Sequence, residues 1–173
     1  TKRAGVIGYP VSHSRSPMIH RYWLKQLQLD GSYEKIEIKP ENAETFIRAL
    51  PESGLAGCNV TIPHKEMACR SVTHLSEKAR RINSVNTIHV KDGATYGTST
   101  DGEGFYLSVQ NSIPDFNVTQ MRVLVLGAGG SANAIIGELI DRGCTHIDVV
   151  NRTFNRALEL STRFGPNVHA VEI

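Results

Sequence analysis

The sequence predicts an α/β protein in which parallel strands are joined by helices. Two observations support this prediction: short apolar runs alternate with amphipathic stretches along the 173 residues, and a glycine-rich turn separates an apolar run from a helical pattern near residue 127. A hairpin signal at Asp92-Gly93 adds an antiparallel pair, so we expect a mixed, mostly parallel sheet in the N-terminal part. The formal net charge of +2 is too small to indicate a nucleic-acid surface.

The first hundred residues repeat a pattern of strand followed by helix. The predicted elements are a strand at 4–7, a helix at 17–27, a strand at 32–38, a helix at 41–50, a strand at 55–62, one polar helical stretch at 65–80, and two hairpin strands at 85–90 and 95–97. Because the ends of parallel strands line crevices in such sheets, the residues that end the strand at 55–62 are candidates for ligand contact.

A second unit begins at Met121. Before it, a helix is predicted at 102–111, and 113–120 fits a linker because it contains Pro114 and lacks apolar periodicity. Strands at 123–126, 147–150 and 167–173, with a helix at 131–142 between the first two, indicate a βαβ arrangement. The predicted divisions of the chain are a first domain at 1–101, a connecting helix and linker at 102–120, and a second domain at 121–173.

The loop after the strand at 123–126 has the pattern of a dinucleotide-binding turn. Gly127 permits a tight turn, Gly129 lets the backbone approach a pyrophosphate, and the small Ala132 allows the helix to pack on the strand. The phosphates would lie on the amides of the helix start. The alternative is a plain glycine turn without a ligand. The candidate cofactor-binding residues here are Gly127, Ala128, Gly129, Gly130, Ser131 and Ala132.

The end of the strand at 147–150 indicates which dinucleotide is bound. NAD-binding units usually carry an acidic residue there, which accepts from the ribose hydroxyls, whereas this chain has Asn151-Arg152-Thr153 followed by Arg156. A guanidinium keeps its charge and offers a planar fork of donors, which suits a 2′-phosphate. We therefore predict NADP rather than NAD, with Asn151, Arg152, Thr153 and Arg156 as contacts. In the alternative, Thr153 or Asn155 caps the next helix and both arginines are solvated.

A cofactor that transfers hydride to a ketone requires a proton donor for the developing alkoxide. Lys65 stands two residues beyond Pro63, just after the strand end that carries Thr61. A positioned ammonium can both stabilise the developing charge and donate the proton. On this evidence alone, a solvated lysine at a helix start is the better explanation of Lys65.

The cysteines and histidines give no indication of a disulfide framework or a metal site. Three cysteines are scattered without C-x-x-C spacing, and the seven histidines show no ligand spacing such as H-E-x-x-H. We expect no metal and a reduced, cytoplasmic environment. The first apolar run breaks at Gly8, which is too early for a signal peptide or a membrane span.

Six stretches, in order and spanning nearly the whole chain, resemble the shikimate dehydrogenases. They are HSRSP at 13–17, NVTIPHK at 59–65, SVNT at 84–87, STDGEG at 99–104, GAGGSA at 127–132 and NRTFNRA at 151–157. The resemblance implies NADPH-dependent reduction of 3-dehydroshikimate to shikimate, in the route to chorismate and the aromatic amino acids. It also implies a substrate domain followed by a Rossmann-like NADP-binding domain, in a monomer or homodimer that binds neither nucleic acid nor membrane.

The same resemblance implies roles for particular residues. The hydroxyls of Ser14 and Ser16 would bind the substrate carboxylate, and Thr61, Asn86 and Asp101 would bind the ring hydroxyls. Lys65 would serve as acid and base, with Asp101 as its close partner. Physical chemistry supports this role of the two serines. Pro17 suits the first helical position and Ser16 the N-cap, and the N-terminus of a helix favours an anion.

Each of these roles has a structural alternative. Ser16 could only cap the helix and Ser14 only turn the loop. Thr61 could be an ordinary strand threonine, Asn86 a hairpin residue, and Asp101 the N-cap of the helix that follows.

This chain departs from the family pattern at a few positions and in length. Ser99 stands where the family usually has Asn, Asn83-Ser84 where Gly-Ala is usual, and Asn133 where an Arg is common; the loss of that Arg is expected to weaken cofactor binding. Family members run about a hundred residues further, so we expect a fragment with an incomplete nucleotide domain and little or no activity.

Three rival classes share parts of the pattern. Quinate or quinate/shikimate dehydrogenases share nearly every motif, although their NAD-using members tend to carry an acid where Asn151-Arg152 stand. Methylenetetrahydrofolate dehydrogenases share a lysine on a similar scaffold but lack the serine pair. A non-catalytic shikimate-binding relative would be expected to lose Lys65 or Asp101, and both are present.

Overall fold

The chain folds into two compact units, Thr1–Ser99 and Thr100–Ile173, in a computed structural model that describes residues 1–172. Ile173, the last residue of the strand predicted at 167–173, lies outside the described residues. The functional boundaries predicted at 1–101, 102–120 and 121–173 stay predictions.

The first unit is built on a six-stranded sheet. Its elements are β1 (Lys2–Gly8), α1 (Ser16–Gln26), β2 (Gly31–Glu37), α2 (Pro40–Arg48), a 3₁₀ turn (Leu50–Glu52), β3 (Gly57–Val60), α3 (Lys65–Ser71), β4 (His74–Leu75), α4 (Glu77–Ile82), β5 (Thr87–Lys91) and β6 (Ala94–Thr98). The strands lie in the order β2-β1-β3-β5-β6-β4. β1 pairs parallel with β2 and β3, β4 pairs parallel with β6, and β5 pairs antiparallel with β3 and β6. The predicted mixed, mostly parallel sheet is confirmed.

The centre of this sheet is buried, as its apolar strands require. Val6 and Ile7 of β1 and Val60 of β3 are almost fully buried, and Ile7 and Val60 pack with residues of α2, α3 and β5 in one core. Gly57 begins β3 at φ +158°, and a Cβ there would stand 2.2 Å from the carbonyl oxygen of Ile88. Only glycine therefore allows β3 and β5 to approach as they do.

Two element predictions in this unit had different outcomes. The hairpin between β5 and β6 turns on Asp92 and Gly93, both with positive φ, as predicted. The single helical stretch predicted at 65–80 is wrong: the chain leaves α3 at Val72 in an extended conformation and forms β4 before α4 begins. Across this break, the backbone N–H of Thr73 donates to the Thr95 hydroxyl, and the N–H of Thr95 donates to the Thr73 hydroxyl. Contacts with β6 therefore replace the helix there.

The second unit is a parallel three-stranded sheet with crossover helices. Its elements are α5 (Asp101–Ser112), a 3₁₀ turn (Val118–Gln120), β7 (Arg122–Leu126), α6 (Gly130–Asp141), β8 (His146–Val150), α7 (Phe154–Phe164) and β9 (Val168–Val171). The strands lie in the order β7-β8-β9, all parallel. This βαβαβ arrangement is Rossmann-like, as predicted.

The core of the second unit includes residues ahead of β7. Tyr106 of α5 contacts Phe116 edge to face, and Val118 is 1 % exposed in the core. The stretch predicted as a linker at 113–120 therefore contributes apolar side chains to the fold of this unit.

Candidate functional site

Three chain segments meet at one edge of the first sheet. Ile7 near the end of β1 is in register with Val60 at the end of β3, and the Thr61 N–H donates to the Ile7 carbonyl at 2.9 Å. The Val60 N–H donates to the carbonyl of Asn86, which immediately precedes β5, at 2.8 Å. The sheet therefore brings together the loop after β1, the loop after β3 and the start of β5, which carry most of the predicted substrate contacts.

The serine pair lies in the loop from β1 to α1, and its geometry corrects the predicted cap. The helix begins at Ser16, with Arg15 as the N-cap residue, and the Arg15 carbonyl accepts from the amides of Met18 and Ile19. Ser16 is thus inside the first turn and its side chain caps nothing. Instead, the Ser14 hydroxyl accepts a hydrogen bond from the Ser16 N–H at 3.3 Å. Both serines are half-buried at the helix start, where the backbone dipole favours an anion.

Thr61 is fixed against the end of β1 by close packing. A Cβ on Gly8 would stand 2.5 Å from the Thr61 methyl group and 3.0 Å from the Ile62 carbonyl. The Tyr9 N–H donates to that same carbonyl at 3.0 Å. The absence of a side chain at Gly8 therefore allows the loop with Thr61 to lie against the loop that leads to the serines.

Lys65 is the first residue of α3 and is half-buried. Its carbonyl accepts from the Val85 N–H at 3.0 Å. The preceding residue, His64, is 1 % exposed, and its Nε2 lies 2.7 Å from the Ile38 carbonyl oxygen. The two bonds fix the start of α3, and with it the backbone of Lys65. Sequence analysis did not single out His64, whose position in an apolar core is visible only in the fold.

Asn86 is held on both its backbone and its side chain. Its N–H donates to the Thr98 carbonyl at 3.1 Å, and its side-chain Oδ1 accepts from the Thr87 hydroxyl at 2.9 Å. The side-chain Nδ2 of Asn59 donates to the Asn86 carbonyl at 3.3 Å. Asn59 and Thr87 lie inside the quoted motifs NVTIPHK and SVNT, yet sequence analysis gave neither a role.

Asp101 belongs to the second unit, as the first residue of α5. The N-cap residue is Thr100, whose carbonyl accepts from the Gly104 N–H at 3.0 Å, so the prediction of Asp101 as the N-cap is wrong. Its carboxylate stands in the first turn, where negative charge stabilises a helix. The pairing of Asp101 with Lys65 stays a prediction.

The glycine loop of the second unit makes a tight turn between β7 and α6. Gly127 adopts φ +112°, and its N–H donates to the Val150 carbonyl at 2.8 Å, which fixes the tight turn after β7. Gly129 is the N-cap of α6. A Cβ on Gly127 or Gly129 would meet no atom of the described residues within 4 Å, so open space faces the backbone there. Ala128 is buried, and Gly130, Ser131 and Ala132 form the first turn of α6.

The side chain of Asn133 holds this loop in place through a hydrogen bond to its backbone. Its side chain is 3 % exposed, and its Nδ2 donates to the Gly129 carbonyl at 3.0 Å. Its Oδ1 accepts from Nη1 of Arg163 on α7 at 2.8 Å. The residue that replaces the family's common arginine therefore satisfies a loop carbonyl and brings a guanidinium from the neighbouring helix to the start of α6.

The end of β8 presents two exposed arginines. Arg152 and Arg156 are exposed, and among residues 1–172 neither forms an ion pair. Thr153 is the N-cap residue of α7, but its hydroxyl makes no capping bond, and Asn151 Nδ2 donates to the Thr153 carbonyl at 2.8 Å. The side chain of Asn151 thus fixes the turn. The guanidinium groups of the two arginines are not held by an acidic side chain of residues 1–172.

Burial keeps a group of side chains in the first unit uncharged. It raises the pKa of the Tyr33 phenol, with the neighbouring Cys58 adding to the effect, and it raises the pKa of the Cys58 thiol to about 12. Burial also lowers the pKa of the His20 imidazole, whose ring stacks on Tyr33 with centroids 3.9 Å apart. At neutral pH the Tyr33 phenol is therefore protonated and can donate a hydrogen bond, and the neighbouring Cys58 thiol carries no charge.

Residues 1–172 contain no group of three or more His, Cys, Asp or Glu side chains placed to hold a metal ion. None of the helices in that range is long and apolar enough to cross a membrane.

A sheet edge where the loops after β1 and β3 meet the start of β5, together with a glycine loop on a βαβ unit, defines a two-unit α/β protein of the dinucleotide-binding class. Residues 6–88 match the family model described as the shikimate dehydrogenase substrate binding domain, and residues 109–173 match the model described as shikimate / quinate 5-dehydrogenase. The chain belongs to the shikimate dehydrogenase family.

Individual relatives agree with this assignment. The NADP(+) shikimate dehydrogenase of Brucella abortus (strain S19) is 47% identical over 169 residues, which cover 98% of this chain and 58% of that protein. The crystal structure of shikimate 5-dehydrogenase from Thermus thermophilus in complex with shikimate matches with a TM-score of 0.89 and 36% identity, over 99% of this chain and 63% of that one. The same enzyme with NADP(H) and shikimate matches with a TM-score of 0.88. The chain thus spans about three fifths of the length of these relatives.

Proposed function

We propose that this chain carries the substrate-binding unit and the phosphate-binding loop of an NADPH-dependent shikimate dehydrogenase, which reduces 3-dehydroshikimate to shikimate in aromatic amino acid biosynthesis. The observation that supports it most is the convergence of the Ser14 loop, Thr61 and Asn86 at one sheet edge, with Lys65 four residues beyond Thr61. The names of the Brucella and Thermus relatives support the same activity.

In the proposed site, the start of α1 binds the carboxylate of the substrate. The hydroxyls of Ser14 and Ser16 lie beside the first turn of the helix, where backbone amides and the helix dipole favour negative charge. Thr61, Asn86 and Asp101 bind the ring hydroxyls. An analogue that lacks one of those hydroxyls would leave a polar group unsatisfied, so such contacts give selectivity.

Lys65 is proposed as the acid and base of the reaction. When bound, NADPH supplies the hydride that reduces the substrate ketone. The Lys65 ammonium stabilises the charge that develops on the ketone oxygen and donates a proton to it, and in the reverse direction the amine accepts that proton. Asp101 is proposed as the carboxylate partner that keeps the lysine charged.

The residues of the second unit fit NADP. The backbone of Gly127 and Gly129 faces open space at the start of α6, which suits a pyrophosphate. Arg152 and Arg156 would bind the 2′-phosphate, with Asn151 and Thr153 shaping the turn. The remaining loop contacts are assigned to Ala128, Gly130, Ser131 and Ala132.

We also propose a cytoplasmic location and a monomer or homodimer. The thiols of Cys58 and Cys144 are buried without a disulfide, which fits a reducing compartment.

Calorimetric titration of the chain with shikimate tests the substrate site. We expect saturable binding that weakens at least roughly tenfold in the Ser14→Ala/Ser16→Ala double variant, because two hydrogen bonds to a carboxylate are removed. Ser12→Ala, in the same loop but exposed, serves as the matched control and should bind as the parent chain does. An absence of shikimate binding, or equal affinity in the double variant, would contradict the proposal.

A further inference from the structure

A directional series of side-chain hydrogen bonds leads from β2 across the sheet to Asn86. The Tyr33 hydroxyl donates to Asn59 Oδ1 at 2.7 Å. Asn59 Nδ2 donates to the Thr87 Oγ1 at 3.2 Å, and the Thr87 hydroxyl donates to Asn86 Oδ1 at 2.9 Å. Asn59 and Thr87 are paired in register between β3 and β5, so the sheet itself sets their separation.

The polarity of this series follows from the chemistry of each group. An amide has one acceptor end and one donor end. Because Asn59 Oδ1 accepts the hydrogen bond from Tyr33, the donor end of the same amide, Nδ2, faces Thr87. A hydroxyl carries one proton, and Thr87, which accepts from Asn59, directs that proton to Asn86 Oδ1. The acceptor end of the Asn86 amide therefore faces Thr87, and its donor end, Nδ2, is turned the other way.

Tyr33 is well suited to begin the series. Its side chain is 4 % exposed, and the ring stacks on His20 with parallel planes. The phenol stays protonated far above neutral pH because burial raises its pKa. The protonated phenol meets the acceptor atom Oδ1 of Asn59, so it donates there, and this sets the direction of the bonds that follow.

We propose that Tyr33, Asn59 and Thr87 are positioning residues that orient the side-chain amide of Asn86, so that it donates a hydrogen bond to an oxygen of the ligand. The proposal rests on the proposed function, which places Asn86 in the substrate site. It adds a specificity rule: the ligand group that meets Asn86 must supply an acceptor oxygen, and a group that can only donate is disfavoured.

The test compares two substitutions at Thr87. Thr87→Val keeps the shape and removes the hydroxyl, whereas Thr87→Ser keeps the hydroxyl. We expect Thr87→Val to weaken shikimate binding roughly tenfold, as the loss of one oriented hydrogen bond implies, and Thr87→Ser to bind nearly as tightly as the parent chain. Tyr33→Phe should weaken binding in the same direction but less. Tyr96→Phe, a half-buried tyrosine of β6 outside the series, is the matched control and should change nothing.

A second measurement separates orientation from stability and needs no ligand. In ¹⁵N NMR spectra, the two side-chain amide protons of Asn86 should be sharp and distinct in the parent chain and in Thr87→Ser. These signals should broaden or shift in Thr87→Val, because the side-chain amide of Asn86 can then rotate. Thermal unfolding of each variant shows whether the fold is kept.

The outcomes are distinguishable. If the parent chain does not bind shikimate, the proposed function fails, and the Asn86 signals still test the orientation. If the parent chain binds but Thr87→Val binds equally well with unchanged Asn86 signals, the positioning role is overturned. Equal losses in Thr87→Val and Thr87→Ser would also overturn it, since they would show that the hydroxyl is not sufficient to keep the affinity.

Discussion

At the scale of single residues, the proposed chemistry depends most on Lys65. In a full-length version of the enzyme, we expect Lys65→Ala to lower kcat for NADP-dependent shikimate oxidation roughly 10²- to 10⁴-fold, because a positioned proton-transfer group contributes that much. Shikimate affinity should change little. Initial rates of NADPH formation, together with a shikimate titration, give both quantities.

The matched control for Lys65 is Lys91→Ala, an exposed lysine at the end of β5. It should leave both quantities unchanged. If Lys65→Ala kept the parent kcat, Lys65 would have no role in proton transfer.

The cofactor preference is tested at Arg152. We expect Arg152→Ala to weaken NADPH binding roughly tenfold or more, since a charge-assisted bond to a phosphate is lost, while NADH binding stays nearly unchanged because NADH has no 2′-phosphate. Fluorescence titration of the same variant with both nucleotides measures this directly. If Arg152→Ala weakened the binding of NADPH and NADH equally, Arg152 would support the loop and would not contact the 2′-phosphate.

Residue types and spacing could predict the groups that would touch a ligand, but not the groups that hold those in place. Lys65, Thr61 and Asn86 stand in recognisable motifs, and the sheet places Thr61 and Asn86 at one edge. Tyr33 is an ordinary strand tyrosine in the sequence, and only the pairing of β1 with both β2 and β3 brings it to Asn59. Such contacts depend on tertiary neighbours that no local pattern contains.

At the scale of elements, α5 and α6 pack through Gly102. A Cβ there would stand 2.3 Å from the Ala134 carbonyl oxygen and 2.8 Å from the Glu138 side chain. We expect Gly102→Ala to destabilise the chain by roughly 1–3 kcal/mol, because overpacking outweighs the better helix propensity of alanine. Urea unfolding gives this value.

Gly104, two residues further along α5, provides the control. A Cβ there would meet nothing within 4 Å, so Gly104→Ala should stabilise by up to about 1 kcal/mol through helix propensity alone. If both substitutions changed stability alike, close packing at Gly102 would not be the cause.

Sequence patterns predicted elements well where a local signal fixes the backbone, and poorly where tertiary pairing decides. Asp92-Gly93 supplied the turn between β5 and β6, and Gly127 the turn after β7. The cap of α1 was misplaced by one residue because Ser14, rather than Ser16, accepts the bond at the helix start. β4 was missed because two residues cannot show a strand period, and the β6 residues that pair with it lie 22 positions further along the chain.

At the scale of the whole molecule, the buried Tyr33 and Cys58 predict sensitivity to alkaline pH. The pKa of Cys58 rises in the fold from 9.0 to about 12, and that of Tyr33 rises above 10.0. Above about pH 9 the unfolded chain therefore loses protons that the folded chain keeps, so the free energy of unfolding falls as pH rises, by up to about 1.4 kcal/mol per pH unit for each group.

Unfolding curves at several pH values test this. Cys58→Ala should flatten the decline above about pH 9, and Tyr33→Phe should flatten it above about pH 10, whatever their effect at neutral pH. A slope that neither substitution changes would mean that other groups cause the alkaline loss.

The central claim is that the loop after β1, the end of β3 and the start of β5 form one binding site for shikimate. A ¹⁵N NMR titration of the chain with shikimate tests it most directly. The account predicts that the signals of Ser14, Ser16, Thr61 and Asn86 shift together with one dissociation constant, while those of exposed positions such as Lys91 stay in place. Shifts confined to other surfaces, or no shifts at saturating shikimate, would contradict it.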